Sequence, residues 1–185
     1  MFIQTEPTPN PATLKFLPGR TVLEDGTLDM PERSQAARSP LAERLFDVAG
    51  VSGVFFGSDF VTVTKSEEGD WGQMRPAILG AIMEHFQSGA DILNSGVAAQ
   101  DEAEFFDEAD GATVATIKEL IETRVRPAVA NDGGDITFRG FKDGVVYLAM
   151  KGACSGCPSS TATLRHGIQN LLRHFVPDVI EVRPV

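Results

Sequence analysis

The chain is poor in cysteine and has no long hydrophobic run. Only two of its 185 residues are cysteine, which excludes a disulfide-rich secreted scaffold. No apolar stretch approaches the roughly 20 residues that a membrane-spanning helix requires. The N-terminus, MFIQTEPTPNP, shows neither a secretory signal nor an arginine-rich transit peptide. We therefore expect a soluble intracellular protein, in the bacterial cytoplasm or, for a mature organellar form, in the mitochondrial matrix, with no membrane partner.

Basic residues are also scarce, since 16 lysines and arginines face 26 acidic residues and the net charge is −10. Such an acidic chain disfavours a general nucleic-acid-binding surface. Residues 101–111, DEAEFFDEADG, contain six acidic residues and no basic one, whereas the residues after them carry nine basic and seven acidic groups. This shift in charge predicts an acidic linker over 95–111, between a first domain at 1–94 and a second at 112–185.

The first domain carries the pattern of a small α/β sandwich. Apolar residues alternate at 14–16 and over 51–65, which is typical of strands. Helices are predicted after Ser39 and after Asp70, because both residues are good N-caps. The domain contains no cysteine and no catalytic constellation, and its lone His85 is interpreted as a surface or core residue, not a ligand. We expect this domain to serve as a platform for clients or partners.

The second domain has the predicted order α-β-β-α-β. Helical periodicity begins near Ala112 and is expected to end or kink at Pro127. Two strands follow, and Asp143-Gly144 between them is a strong hairpin signal. A second helix is predicted over about 159–175, and a last strand must join the same small sheet. The predicted fold class is α/β, of the α+β kind, in two small domains.

Both cysteines lie in one loop, GACSGCPSS, between a predicted strand and a predicted helix. The two-residue spacer lets the sulfurs of Cys154 and Cys157 turn toward one metal centre, and Gly156 relaxes the backbone for that turn. Unpaired N–H groups and the helix dipole at such a place favour thiolate over thiol. Cys154 and Cys157 are therefore the candidate metal- and cofactor-binding residues.

Four interpretations of this cysteine pair remain open. A redox dithiol would work within one chain, although the aromatic-Cys-Gly-Pro-Cys loop of thioredoxin-like proteins is missing. A structural zinc site needs four ligands, and the available His166 and His174 are far along the helix. The pair can also be two small buried thiols. Finally, two chains related by a two-fold axis would together supply the four thiolates that an iron–sulfur cluster normally takes.

An acidic turn, Asp132-Gly-Gly-Asp135, precedes the hairpin. Its two carboxylates offer oxygen ligands, so a metal site is one interpretation. Asp-Gly-Gly-Asp is more typical of a backbone turn. We expect this turn to pack beside the cysteine loop.

Several longer segments resemble known modules. The stretch from Arg126-Pro127 through DGGD, the Asp-Gly hairpin, GACSGCPSS and TLRHGIQNLL resembles the C-terminal domain of the NifU family over 112–185. In the first domain, FIQTEPTPNPATLKFLPG, SPLAERLF and GVSGVFFGSDFVTVTK resemble the N-terminal domain of Nfu-type iron–sulfur proteins. Together these segments cover most of the chain.

The resemblance implies an iron–sulfur cluster carrier or scaffold, not an enzyme. Proteins of this type hold a [4Fe–4S] cluster, with [2Fe–2S] as the alternative, between two subunits and pass it to client apoproteins. Carried over by position, Cys154 and Cys157 would be the cluster ligands. The implied partners are client apoproteins, an upstream cluster donor and a second copy of the chain. Larger NifU proteins have further cysteine-containing domains that this chain lacks, so late delivery is the expected task.

Overall fold

The computed structural model of the protein describes residues 1–96, 103–155 and 158–185, the last range with side chains from residue 161 onward. The chain divides into two compact units, Met1–Gln100 and Asp101–Val185. Each unit has its own hydrophobic core and mixes strands with helices, which confirms the predicted fold class. Within the described ranges, no helix is long and apolar enough to cross a bilayer.

The first unit is built on a five-stranded antiparallel sheet. Its strands are β1 (Gln4–Pro7), β2 (Thr13–Leu17), β3 (Leu28–Met30), β4 (Val51–Phe56) and β5 (Val61–Lys65). They lie in the order β1-β2-β5-β4-β3, so that the two strands predicted over 51–65 are neighbours. Phe16 and Phe56, on two of these strands, are fully buried in the core.

Two α-helices pack against this core. They are α1 (Pro40–Phe46) and α2 (Trp71–Ser88), and a 3-10 helix at Arg33–Arg38 precedes α1. The Ser39 hydroxyl and the Asp70 carboxylate each accept a backbone N–H of the turn that they cap, at 3.3 and 2.9 Å. Leu41 of α1 and Ile78 of α2 are fully buried, and both belong to the same hydrophobic core. The predicted helix starts are therefore confirmed.

His85, in the last turn of α2, is a core residue. Its ring is fully buried, and among the described residues neither ring nitrogen makes a hydrogen bond of good geometry, although the Ala90 backbone opposes part of the pKa shift. Burial, and then the positive charge of Arg44, lower the pKa of this imidazole below its usual value of 6.5. The folded protein therefore keeps His85 neutral where the unfolded chain would begin to protonate it.

We expect the free energy of unfolding of the wild type to fall as the pH drops below about 6.5. In His85→Leu, the part of this pH dependence that comes from the imidazole should be absent. Below that pH the unfolded chain binds a proton that the folded imidazole accepts only at a lower pH, so protonation favours unfolding. Denaturant titrations at pH 7.5, 6.5 and 5.5 measure the difference between variant and wild type. His166→Leu, at an exposed position, is the control. Equal pH slopes for His85→Leu and wild type would contradict the assignment.

The second unit is a four-stranded mixed sheet with helices. Its strands are β6 (Phe105–Phe106), β7 (Gly134–Lys142), β8 (Val145–Gly152) and β9 (Glu181–Pro184), in the order β6-β7-β8-β9. Its helices are α3 (Gly111–Leu120), α4 (Arg126–Asn131) and α5 (Pro158–Phe175), with a 3-10 helix at Glu108–Asp110 and a π-helical segment at Ile121–Val125. Strand β9 pairs in parallel with β8, as the prediction that it joins this sheet requires.

The β7–β8 hairpin turns at the predicted dipeptide. Asp143 and Gly144 have φ values of 52° and 79°, and the residues that flank them, Lys142 and Val145, are paired. Positive φ at both central residues is the geometry of a type I′ turn, which matches the twist of the two strands. The hairpin prediction is confirmed.

Of the two outcomes predicted at Pro127, an end or a kink, the end is wrong, because the helical chain continues to Asn131; the regular α-helix is nevertheless interrupted just before the proline. The π-helical segment immediately precedes this proline, and the Arg126 N–H bonds to the carbonyl of Ile121, five residues back. Proline has no N–H and its ring crowds the preceding turn, so a regular helix would be strained here. The wider π turn accommodates Pro127 without ending the helix.

Part of the segment predicted as a linker over 95–111 belongs to the second unit. Phe105 and Phe106 form β6, parallel to β7, and the Phe105 ring centroid lies 5.2 Å from that of Tyr147. Gly140, opposite Phe105, leaves room for this ring, because an added Cβ would lie 2.4 Å from it. Residues 97–102 lie outside the described ranges, and the domain boundaries stay predictions.

Candidate functional site

The candidate site is the loop that joins β8 to α5. The Ser155 N–H and hydroxyl both donate to the carbonyl of Gly152, at 3.1 and 2.9 Å, and close a tight turn around Cys154. Cys154 is 8% exposed, and its carbonyl accepts the Thr161 hydroxyl at 2.9 Å. The first cysteine is thus held between the end of a strand and the first turns of a helix. Cys157 lies outside the described residues.

The Asp-Gly-Gly-Asp turn lies directly against Cys154, as expected from the sequence. The Ala153 N–H donates to the carbonyl of Gly133 at 3.2 Å, and Gly134 pairs with Gly152 across the hairpin. A Cβ on Gly134 would lie 2.7 Å from the Cys154 Sγ and 2.7 Å from the carbonyl oxygen of Lys151. The thiol therefore packs on a backbone position where a side chain does not fit.

An arginine–carboxylate pair braces this turn. Arg126 Nε and Nη2 donate to the two carboxylate oxygens of Asp135 at 2.9 and 3.0 Å, and the Asp135 side chain is 5% exposed. Asp135 Oδ1 also accepts the N–H of Ile136 at 2.8 Å. The hydrogen bond to Asp135 is the main cause that raises the pKa of Arg126, and Glu122 adds to it. Two parallel bonds fix orientation as well as distance, so α4 is tied rigidly to the start of β7.

Burial raises the pKa of the Cys154 thiol to about 12, and the negative charges of Asp132 and Asp135 raise it further in the same direction. The metal-free chain therefore keeps this thiol protonated at neutral pH. The expectation of a thiolate favoured by the helix N-terminus is wrong for Cys154, because the side chain is buried beside two carboxylates. Iron bound at the sulfur would reverse the balance, since a coordinating thiol gives up its proton.

Within the described ranges, no three histidine, cysteine, aspartate or glutamate side chains form a group that could hold a metal. His166 and His174, which were considered as zinc ligands, are exposed on α5 and belong to no such group. The ligand that this loop provides is a cysteine sulfur, a soft donor that binds zinc or an iron–sulfur cluster in preference to magnesium or calcium.

Two residues that shape the site were not identified as such from the sequence. In the sequence, Arg126 stands out only as part of an Arg-Pro dipeptide, and Gly134 only as part of a turn. A signal was present for each, because a buried aspartate in Asp-Gly-Gly-Asp needs a cation and a repeated glycine can mark a close approach of the backbone. Neither signal names the partner, which is nine residues away for Asp135 and Arg126 and 20 residues away for Gly134 and Cys154.

Comparisons with known proteins identify two family domains. Residues 3–89 match the family described as "Scaffold protein Nfu/NifU N terminal", and residues 117–183 match the "NifU-like domain". The chain is 50% identical over 190 residues to the human "NFU1 iron-sulfur cluster scaffold homolog, mitochondrial", covering 100% of this chain and 72% of that protein. It is 51% identical over 181 residues to "NifU-like protein 4, mitochondrial" of Arabidopsis thaliana, covering 97% of this chain and 64% of that one.

A solved structure is also similar. The solution NMR structure of a NifU-like protein from Saccharomyces cerevisiae aligns with a TM-score of 0.47 at 24% identity, over 51% of this chain and 86% of that one. Among the relatives compared by sequence, the chain spans a little under two thirds of the length of the Arabidopsis protein and nearly three quarters of the length of the human one.

Proposed function

The chain belongs to the Nfu/NifU family of scaffold proteins, and on this premise we propose that it carries an iron–sulfur cluster to client apoproteins. The cluster, [4Fe–4S] with [2Fe–2S] as the alternative, is held between two subunits by Cys154 and Cys157 of each. The observation that carries this proposal is the buried Cys154 in a braced loop of a chain with only two cysteines. The names of the relatives, which call them iron–sulfur cluster scaffolds, support it.

The number of sulfurs determines the assembly. An iron–sulfur cluster normally takes four thiolates, and one chain supplies two. A two-fold axis beside the loop brings the same pair from a second copy and completes the set without any further residue. The homodimer is therefore expected with the cluster bound, and the metal-free chain has no such reason to dimerise.

Delivery follows by exchange of thiolate ligands. A client thiol loses its proton and binds iron, and the departing thiolate of this chain takes up a proton. Repeated at each iron, this exchange moves the cluster without oxidation or reduction and leaves the scaffold in its thiol form. The protein needs no general base or nucleophile for such a step, and we propose a non-enzymatic role.

A dithiol oxidoreductase is the competing hypothesis. It requires an attacking thiolate near neutral pH. Burial raises the pKa of Cys154 to about 12, which opposes that role for this residue. Disulfide reduction at a catalytic rate by the metal-free protein would favour the enzyme.

We propose that the first domain, 1–94, is the platform for clients and the upstream donor, that 95–111 connects it, and that 112–185 binds the cluster. What supports a binding role for the first domain is an open cleft of about 700 Å³, lined mainly by the segment that follows α1 (47–50), the segment that precedes α2 (66–70) and the first turns of α2. The cellular location of the protein is also a proposal. The relatives are named mitochondrial, which supports the mitochondrial matrix over the bacterial cytoplasm.

Anaerobic reconstitution with iron and sulfide tests the cluster and its stoichiometry. We expect about four irons and four sulfides for two chains of 19.9 kDa each, in a species of about 40 kDa that transfers its visible absorbance to an added apoprotein. Iron and zinc are determined on the same sample, with native mass and no added thiol. A loaded single chain, or one zinc per chain without iron, would contradict the shared cluster.

A further inference from the structure

Two carboxylates, those of Asp132 and Asp135, flank the turn that packs on Cys154, and they differ in burial and in their hydrogen bonds. Asp135 is buried and its charge is balanced by the two hydrogen bonds from Arg126. Asp132 is exposed, and among the described residues no hydrogen bond or ion pair holds its carboxylate. One of the two negative charges beside the loop is therefore left uncompensated by the protein.

The fold gives no reason for a negative charge at position 132. Asp132 is the residue that caps the C-terminal end of α4, and only its backbone N–H is used, bonding to the carbonyls of Ala128 and Val129. The partial negative charge of a helix C-terminus repels an acid at this place. Asparagine has the same shape and is accepted at helix ends at least as well.

The backbone places this charge beside the cysteine. Asp132 precedes Gly133, whose carbonyl accepts the N–H of Ala153 at 3.2 Å, and Gly134, where an added Cβ would lie 2.7 Å from the Cys154 sulfur. The direction in which Asp132 shifts the pKa of that thiol agrees with this proximity. Asp132 is thus one residue from the hydrogen bond between Gly133 and Ala153 and two residues from the start of the β7–β8 ladder, and from there its charge opposes negative charge on the sulfur.

We propose that Asp132 is a release-determining residue, whose uncompensated charge beside the cysteine loop weakens the hold on the cluster and speeds its transfer. A cluster bound by four thiolates is an anion as a whole, in either the [4Fe–4S] or the [2Fe–2S] form with Fe–S cores of charge +2. The negative charge of a nearby carboxylate repels this anion, so the cluster-loaded state is less stable than it would be with a neutral side chain at position 132. The inference rests on the proposed function and adds a determinant of its rate.

The test compares three full-length proteins loaded with cluster: wild type, Asp132→Asn and Asp143→Asn. Asp143 is a matched control, because it is an aspartate at the opposite end of β7, in a turn whose positive φ asparagine also adopts. A ferrous chelator in excess removes iron, and loss of visible absorbance gives the rate. We expect release from Asp132→Asn to be about threefold to tenfold slower than from wild type, and Asp143→Asn to match wild type.

Salt and the metal-free protein provide further readouts. Screening by salt should slow release from wild type and leave Asp132→Asn nearly unchanged. In metal-free Cys157→Ala, adding Asp132→Asn should speed alkylation of Cys154, with thermal unfolding as the check that the fold is intact. Equal release rates for wild type and Asp132→Asn, or an equal slowing in Asp143→Asn, would overturn the inference alone. A wild type that binds no cluster would overturn the proposed function and the inference with it.

Discussion

Replacing either cysteine, in Cys154→Ala or Cys157→Ala, should abolish cluster binding. Each substitution removes one sulfur from a chain that has two, so a symmetric pair of variant chains offers two thiolates instead of four. Loss of a residue that only orients a metal ligand costs about 10- to 100-fold in affinity, and loss of a ligand costs more. We therefore expect less than about a hundredth of the wild-type affinity, which in practice is a colourless protein after desalting.

The measurement is iron and sulfide per chain after anaerobic reconstitution, without glutathione or any other small thiol that could fill a vacant position. Ser52→Ala is the control, because it removes one exposed side-chain hydrogen bond, to the carbonyl of Thr64 in the first unit, and leaves the cysteine loop and both thiols unchanged. It should bind cluster like wild type. Full cluster content in either cysteine variant would show that the ligands are assigned incorrectly.

The features predicted from the sequence are those that depend on neighbouring residues. Asp143-Gly144 turns the chain because both residues tolerate positive φ, and Ser39 and Asp70 start helices because their side chains reach the N–H groups of the next turn. Such contacts join residues within a few positions of one another. Reading the local sequence was therefore enough to place these elements.

The features that sequence reasoning missed depend on residues far apart in the chain. Cys154 was expected to favour the thiolate, but it packs on Gly134 beside two carboxylates from a turn about 20 positions earlier. The strand that contains Phe105 was not predicted, because the surrounding segment is acidic and reads as a linker. The Phe105 ring packs on Gly140, 35 residues later, where only a glycine leaves room for it, and the sequence near Phe105 does not indicate this contact. Burial and charge at a site are properties of the packed fold, and periodicity does not report them.

The proposed cluster site also involves a residue that would bind no iron itself, Gly134, and we expect Gly134→Ala to disrupt the site. The added Cβ would lie 2.7 Å from the Cys154 sulfur, 2.7 Å from the Lys151 carbonyl oxygen and 3.1 Å from the Cys154 nitrogen. Two of these three atoms belong to the backbone of the hairpin partner and the loop, so no simple side-chain rotation relieves the overlap. We expect a loss of about 2–3 kcal/mol in the free energy of unfolding, as for overpacking elsewhere.

Cluster loading should fall further in Gly134→Ala than this loss of stability explains. The β7–β8 ladder resists displacement, so the loop must yield, and a shift of Cys154 by a few tenths of an ångström or more would misplace the proposed ligand in both subunits of the proposed dimer. Gly167→Ala is the control: it is the same change in an exposed helical position where the Cβ meets nothing within 4 Å, and it should stabilise the protein by about 0.5–1 kcal/mol. Circular dichroism and denaturant titration establish how much Gly134→Ala remains folded, and iron per folded chain then isolates the effect on the site. If folded Gly134→Ala binds as much cluster as Gly167→Ala, the contact between this glycine and Cys154 does not position the ligand.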